Sequence, residues 1–150
     1  MSWSNAAMRG GMILVKGNAG YRTGIHMKEF QDKKPAIVVG GEAGSFLGEY
    51  LAGGLIVVLG LESDGFPAGN FTGTGMHGGE IFLRTSQLPA NLPAQVSADW
   101  ATEAELEKIM DYLFDYSATF SVRMEEILRK PFLRLTPNAK NPYKQLYVEN

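Results

Sequence analysis

The sequence contains one glycine pattern with the spacing of a nucleotide-binding loop. Residues 73–78 read GTGMHG, which matches G-x-G-x-x-G. In dinucleotide-binding proteins this pattern follows a strand and opens a helix, whose N-terminus then faces the pyrophosphate. Here it leads through Gly79 into the apolar run EIFL at residues 80–83, which is typical of a strand. The pattern therefore does not predict a nucleotide site.

The side chains that could bind a metal or act as acid, base or nucleophile are few and scattered. His26 and His77 are the only histidines, and no third candidate ligand lies near either. We expect His77, beside a Gly-Gly pair, to be a hydrogen-bonded surface or interface residue. Ser45 and Ser63 lie in no nucleophile motif, and the carboxylates of residues 103–115 have no recognisable acid/base partner. The sequence predicts no catalytic, no cofactor-binding and no metal-binding residue.

The composition excludes further classes of chemistry and of partner. The 150 residues include no cysteine, which removes disulfides, thiolate catalysis, iron–sulfur ligation and cysteine-type zinc sites. The net charge of −2 gives no electrostatic footprint for nucleic acid or an anionic membrane. No signal peptide and no apolar run of about 18 residues is present. These features predict a soluble, cytoplasmic chain.

The glycine pattern is one copy of a longer repeat. Three nine-residue segments share the phrase Ala-Gly-x-x-x-Gly-x-x-(Met or Leu): residues 19–27 (AGYRTGIHM), 43–51 (AGSFLGEYL) and 68–76 (AGNFTGTGM). Four short apolar runs accompany them, and their equivalent isoleucines are Ile13, Ile37, Ile56 and Ile81, at spacings of 24, 19 and 25. The extra residues fall in residues 28–35 and 61–67. These two insertions are the most promising places for partner contacts.

The repeat predicts parallel strands joined without crossover helices. Glycines interrupt every candidate helix between the runs, and a unit of 19 residues cannot bury its own apolar face. We therefore predict an all-β solenoid, a parallel β-helix, over residues 1–88. Residues 89–150 are predicted to form a linker, amphipathic helices and an extended tail that pack on the β-helix.

The strand parity predicts two apolar faces, one inside the repeat and one outside. The outer face contains Leu14, Val38, Val57 and Phe82. A capping box at Thr102 and Glu105 begins a helix that could cover it. The helix carries an apolar stripe of five residues: Leu106, Ile109, Met110, Leu113 and Phe114. Ser121 is predicted to cap a second, shorter helix that ends before Pro131.

The first eleven residues resemble the end of a repeat unit. Residues 5–11 align with residues 48–54, so the chain begins within a unit. A stack of repeat units without a capping unit at its end exposes apolar strands and unpaired backbone groups. We expect either that another chain covers this end, in a homodimer through the open end, or that these 150 residues are part of a longer natural unit.

The repeated segments, with GGMILVKG, GEYLAGGLIVVLG and GTGMHGGEIFLR around them, resemble the GXGXG domain family. This family includes the C-terminal domain of the glutamate synthase large (alpha) subunit and one of the subunits of formylmethanofuran dehydrogenase. The helical stretch and the ending NPYKQLY at residues 141–147 are similar to stand-alone glutamate synthase domain-3 proteins.

The resemblance implies a right-handed parallel β-helix without catalytic residues of its own. In glutamate synthase such a domain is a scaffold between a glutamine amidotransferase part and a synthase part that holds FMN and an iron–sulfur cluster. We therefore expect those cofactors in partner chains, and none in this chain.

Other functions remain open. A scaffold subunit of a formyl-transferring complex, of the formylmethanofuran dehydrogenase type, is one alternative. An enzyme with a site between coils, as in hexapeptide acyltransferases, is disfavoured because no six-residue period is present. An unrelated binding module is the remaining alternative.

Overall fold

A computed structural model describes residues 11–29 and 34–138 of the chain. Its strands are β1 (Met12–Val15), β2 (Ala36–Val39), β3 (Ala52–Val58), β4 (Gly78–Arg84), β5 (Val96–Trp100) and β6 (Phe132–Pro137). Helix α1 spans Glu103–Phe120, and a single turn of helix, α2, spans Met124–Ile127. No helix in the described part of the chain is long and apolar enough to cross a membrane.

All six strands form one mixed sheet in the order β1-β2-β3-β4-β6-β5. The first four strands are parallel, and the isoleucines expected to be equivalent lie opposite one another: Ile13 beside Ile37, Ile37 beside Ile56, and Ile56 beside Ile81. The predicted register of the repeat is therefore confirmed.

The predicted fold class, an all-β solenoid, is wrong. Strand β6 runs antiparallel to β4, and β5 runs antiparallel to β6 in the same sheet. The result is an open sheet of mixed direction with a helix on one face, an α/β sheet fold rather than a parallel β-helix. The physical reason is that β4 leaves a free edge, and the backbone of residues 132–137 pairs with it instead of forming a loose tail.

The inner face of the sheet packs against the three nine-residue segments, which we call the repeat segments: residues 19–27, 43–51 and 68–76. Their buried apolar side chains are Ala19, Met27, Ala43, Leu47, Leu51 and Met76. The facing strand residues include Ile37, Ile56 and Ile81. Hydrogen bonds between successive segments stack them; the Arg22 amide donates to the Ser45 carbonyl at 2.8 Å, and the Phe46 amide to the Asn70 carbonyl at 2.9 Å.

The outer face of the sheet packs against α1. Its residues Val38, Val57 and Phe82 share a core with Ile109 and Leu113. One member of the predicted stripe is misplaced, because Phe114 is 50% exposed. Tyr116 is buried in its stead, and its hydroxyl donates to the Lys16 carbonyl at 3.2 Å.

The ends of α1 only partly follow the prediction. The capping box is confirmed, since the Thr102 side chain accepts from the Glu105 amide and the Glu105 carboxylate accepts from the Thr102 amide. The predicted cap at Ser121 is wrong. Ser121 ends α1 in the left-handed conformation at φ 58°, and α2 begins after Arg123 without a side-chain cap.

Candidate functional site

The repeat segments hold side chains in an unusual backbone conformation. At the fourth position of each segment Arg22, Phe46 and Phe71 have φ near +60°, and at the eighth His26 and Tyr50 do as well. L-residues rarely adopt this conformation, which costs on the order of 1 kcal/mol or more for a non-glycine residue. Its recurrence at the same two positions projects these side chains from the surface in two columns.

The side chains within each column stack on one another. In the first column the Arg22 guanidinium lies 5.1 Å from the centre of the Phe46 ring, and the centres of the Phe46 and Phe71 rings are 5.6 Å apart. In the second column the His26 and Tyr50 rings stack at 5.1 Å. We call the surface made by these five side chains the ring face.

The ring face has the composition of an interaction surface. Tyr50 is 45% exposed and Phe71 44% exposed, and Tyr21 beside them is 68% exposed. Aromatic and arginine side chains are the types enriched where proteins bind one another. Arg22 is also paired with the buried carboxylate of Glu49 at 2.7 Å, which fixes the guanidinium over Phe46.

A second candidate is a polar cleft of about 440 Å³ where β4, β6 and α1 meet. Its lining includes Lys34, Glu80, Lys108 and Arg134. Arg134 donates from Nε to Glu80 at 2.6 Å, and its Nη1 lies 3.2 Å from the Glu105 carboxylate. Arg134 is therefore engaged with both Glu80 and Glu105.

The electrostatics of the cleft favour ion pairing over acid/base work. The hydrogen bond from the Thr102 backbone lowers the pKa of Glu105, and the positive charge of Arg134 acts in the same direction. A carboxylate with a lowered pKa is a poor general base near neutral pH. The network ties the start of α1 to the sheet.

A third candidate is a cavity, also of about 440 Å³, at the carboxyl ends of the parallel strands. Lys16, Leu61, Tyr116 and Phe120 line it, together with glycines. The Tyr116 hydroxyl is held by the Lys16 carbonyl, and burial raises the pKa of the phenol. A phenol with a raised pKa stays protonated, so it can position a neighbouring group but does not supply a base.

The G-x-G-x-x-G pattern has a structural explanation. It leads into β4, and no helix begins there. A methyl group at Gly75 would lie 2.6 Å from the Tyr50 ring, and one at Gly78 would lie 2.0 Å from the Ala52 carbonyl oxygen. Glycine at these two positions therefore avoids a clash with Tyr50 and with Ala52.

Both histidines lie on the surface of the protein. His26 belongs to the ring face, whereas Nδ1 of His77 lies 3.4 Å from the Gly75 carbonyl oxygen. Within residues 11–29 and 34–138, no three histidine, cysteine or acidic side chains are grouped to hold a metal ion. The Ser45 hydroxyl accepts from the Asn70 amide of the next repeat segment, and the Ser63 hydroxyl accepts from the Gly65 amide within its own turn.

The insertions expected to contact partners are only partly described. Residues 30–33 lie outside the described residues, while Glu29 accepts from the Gly54 amide at 3.3 Å and Lys34 borders the polar cleft. The second insertion, residues 61–67, contacts its own chain, because the Lys130 ammonium donates to the Ser63 carbonyl at 3.2 Å. The partner-binding role of both insertions stays a prediction.

Two predictions from the sequence concern residues that the structure does not describe. These are the expected unit end at residues 5–10 and the resemblance carried by the ending at residues 141–147. The ring face was missed because no sequence signal marks a non-glycine residue as left-handed. Its only trace was the repeated aromatic residue at the fourth position of two segments.

Stacked, in-register segments that carry an exposed aromatic face define a glycine-repeat protein. The chain belongs to the GXGXG motif family, whose sequence model matches residues 5–138. It is 38% identical over 138 residues to an uncharacterized protein of Methanocaldococcus jannaschii, a match that covers 87% of this chain and 53% of that protein. The chain thus spans about half the length of that relative. No solved structure matches it.

Proposed function

We propose that this chain is a non-catalytic scaffold of a glutamate synthase-type oxidoreductase. In this role it joins a glutamine amidotransferase part to an FMN- and iron–sulfur-bearing synthase part. The observation that carries the proposal is the ring face, which presents Tyr50 and Phe71 to solvent on a backbone that fixes their direction. A rigid display of aromatic side chains suits contact with another protein and costs little ordering entropy on binding.

The chemistry of the chain fits a role without resident cofactors. It has no cysteine, so it cannot supply the thiolates that hold an iron–sulfur cluster. Its G-x-G-x-x-G pattern leads into a strand, which leaves no helix N-terminus to receive the phosphate of a flavin nucleotide. The partner chains would therefore hold both groups.

The test is to purify the native complex through a tagged copy of the full chain in its own organism. Two variants accompany the wild type: Phe71→Asp on the ring face, and Trp100→Asp on β5 as a control of equal exposure, 44% in each case. Each preparation is analysed for co-purifying chains, for bound flavin and for glutamate formed from 2-oxoglutarate and glutamine.

We expect the same amidotransferase and flavin-bearing chains to co-purify with the wild type and with Trp100→Asp. They should not co-purify with Phe71→Asp. A bare homo-oligomer would contradict the scaffold proposal. Partner chains of a formyl-transferring complex would replace the glutamate synthase assignment with the alternative considered from the sequence.

A further inference from the structure

Strand β5 (Val96–Trp100) is the last strand of the sheet and is paired on one side. Its neighbour is β6, and within residues 11–29 and 34–138 no strand pairs with its other side. Edge strands of natural proteins often carry a lysine, a proline or a bulge that prevents pairing with another chain. The sequence VSADW contains neither residue, and its register with β6 has no irregularity. Nothing in β5 itself therefore protects this edge.

The hydrogen bonds to β6 show which backbone groups of β5 point outward. The Ala101 amide donates to the Phe132 carbonyl at 2.8 Å, and the Gln95 carbonyl accepts from the Asn138 amide at 2.8 Å. In an antiparallel pair, residues that bond the neighbouring strand alternate with residues that do not. The odd-numbered residues of this stretch therefore bond β6 through their backbone, and the even-numbered residues direct their backbone groups away from the sheet.

The outward groups are the backbone amides and carbonyls of Val96, Ala98 and Trp100. One of them is bonded locally, because the Val96 amide donates to the Pro93 carbonyl at 3.0 Å. The Val96 carbonyl and both backbone groups of Ala98 and of Trp100 face the unpaired side of β5. They form a short row with Ala98 at its centre.

This row can pair with its own copy. When a strand meets a second copy of itself across a two-fold axis, the two strands are antiparallel and the contact is self-complementary. With the axis at Ala98, the two copies of Ala98 would exchange amide-to-carbonyl hydrogen bonds. Each Trp100 amide would donate to the Val96 carbonyl of the second copy. Of the groups in the row, only the Trp100 carbonyl is then left without a donor.

The side chains agree with the same register. Residues directly opposite one another on neighbouring antiparallel strands lie side by side. With the axis at Ala98, Ser97 lies opposite Asp99 of the second copy, where the hydroxyl can donate to the carboxylate. A shift of the axis to Asp99 would place the two Asp99 carboxylates against each other, which is destabilising. Asp99, the only charged residue of β5, therefore favours the register centred on Ala98 over that one.

An exposed indole supplies the apolar part of the contact. Val96 and Ala98 pack in the core on the inner face of the sheet. Because side chains alternate along a strand, Trp100 lies on the same face, and it is 44% exposed. In the paired strands its ring would lie beside Val96 of the second copy. Tryptophan is among the residue types that contribute most to protein interfaces.

We propose that β5 pairs with β5 of a second copy of this chain, so that the two sheets continue into one another across a two-fold axis at Ala98. The contact consists of two short strands, so we expect a reversible dimer. The proposal concerns a different surface from the ring face and does not depend on glutamate synthase chemistry.

The dimer is measured on the purified full chain by sedimentation equilibrium. We expect a monomer–dimer equilibrium between about 1 µM and about 1 mM, the range in which small interfaces dissociate. Amide hydrogen exchange should slow about tenfold or more at Ala98 and Trp100 where the dimer predominates. The amides of Ser97 and Asp99 should change less, because they already bond β6.

Two opposite charge changes at Ser97 test the register. Ser97→Asp should raise the Kd of the dimer about fivefold or more, because it places a carboxylate opposite Asp99 on both sides of the axis. Ser97→Lys should lower the Kd by a similar factor, because the added ammonium faces that carboxylate. Thr119→Asp and Thr119→Lys make the same charge changes at an exposed position on α1, and they should leave the Kd unchanged.

Ala98→Pro tests the backbone contact. Proline removes an amide that faces away from β6, so the fold should be retained, as circular dichroism and Tm can verify. The Kd of the dimer should rise about tenfold or more, because both Ala98 amides are lost from the contact. The Ser97 variants keep the backbone intact and decide the question whether or not this variant folds.

Three results would overturn the proposal. The first is a chain that stays monomeric at about 1 mM. The second is a dimer on which Ser97→Asp and Ser97→Lys have equal effects or none, because the contact would then lie elsewhere. The third is strong protection of the Ala98 and Trp100 amides in the monomer, because another part of the same chain would then cover the edge.

The dimer and the scaffold role can fail separately. Trp100→Asp should weaken the dimer because it removes the indole beside Val96. It leaves every side chain of the ring face in place, so the amidotransferase and flavin-bearing chains should still co-purify with it. Loss of the dimer with retention of those chains would support both proposals, whereas an unweakened dimer would count against the β5 contact alone.

Discussion

Arg84 donates from Nε to the carbonyl of Ile127 at 2.8 Å, which joins β4 to the single turn of helix that follows α1. The same guanidinium, 2% exposed, also donates to the carbonyls of Leu59, Gly60 and Glu126. Burial lowers the pKa of Arg84, and the nearby charge of Glu126 opposes that shift. One buried cation thus satisfies backbone acceptors from two separate elements.

Replacing this cation should be among the costliest single changes in the protein. Arg84→Met keeps the length of the side chain but leaves several buried carbonyls without a donor. We expect a loss of about 3 kcal/mol in the free energy of unfolding, measured by urea titration. Arg129→Met is the control, because the exposed ion pair of Arg129 with Glu126 is worth about 0.5 kcal/mol. Equal losses in the two variants would contradict this account of Arg84.

The helix prediction is best tested at two adjacent residues. Leu113 is fully buried against the sheet, and Phe114 is half exposed. We expect Leu113→Ala to lower the free energy of unfolding by about 3 kcal/mol. Phe114→Ala should change it by about 0.5 kcal/mol or less. Thermal unfolding followed by circular dichroism measures both, and a larger loss for Phe114→Ala would mean that α1 packs through another face.

The repeat made the parallel half of the sheet predictable from the sequence. Equal phrases must adopt equal conformations, so the spacing of Ile13, Ile37, Ile56 and Ile81 set the register without knowledge of the turns between them. The capping box marked the start of α1 for a similar reason, because its two hydrogen bonds are local.

The antiparallel strands of the sheet could not be predicted in the same way. Strands β5 and β6 come from residues 96–100 and 132–137, which lie among prolines and were interpreted as linker and tail. Their pairing is set by the free edge of β4, a long-range feature that has no signature in either segment. The ring face was hidden for a different reason: left-handed backbone at Phe46 and Tyr50 is imposed by stacked neighbours and not by residue type.

Two equivalent threonines should respond in opposite directions to the same substitution. Thr23 and Thr72 occupy the fifth position of their repeat segments, and both are buried. The Thr23 hydroxyl donates to the Gly20 carbonyl at 2.7 Å, whereas that of Thr72 has no partner among the described residues. Thr72→Val should raise the free energy of unfolding by about 1 kcal/mol, and Thr23→Val should lower it by a similar amount.

Urea midpoints of the two single variants and of the double variant measure these effects. The double variant should lie near the wild type, because the two hydroxyls share no partner. A loss of stability in Thr72→Val would mean that its hydroxyl bonds a buried water, which the substitution would displace.

Glu105 should make stability depend on pH at the acidic end. Its pKa is lowered in the folded protein by the Thr102 backbone hydrogen bond, with Arg134 acting in the same direction. The folded state therefore binds the proton less tightly than the unfolded chain does. The stabilisation is present above the unfolded pKa, near the ordinary 4.5, and is lost as pH falls through the lower folded value.

Glu105→Gln keeps a capping acceptor for the Thr102 amide but cannot titrate. We expect urea midpoints measured from pH 7 to pH 3 to fall more steeply for the wild type than for this variant once pH drops below about 4.5. At neutral pH the variant should be the less stable of the two, because its amide carries no charge to attract Arg134. Parallel curves over the whole range would show that neither the hydrogen bond to Thr102 nor the charge of Arg134 distinguishes the ionised carboxylate from the protonated one.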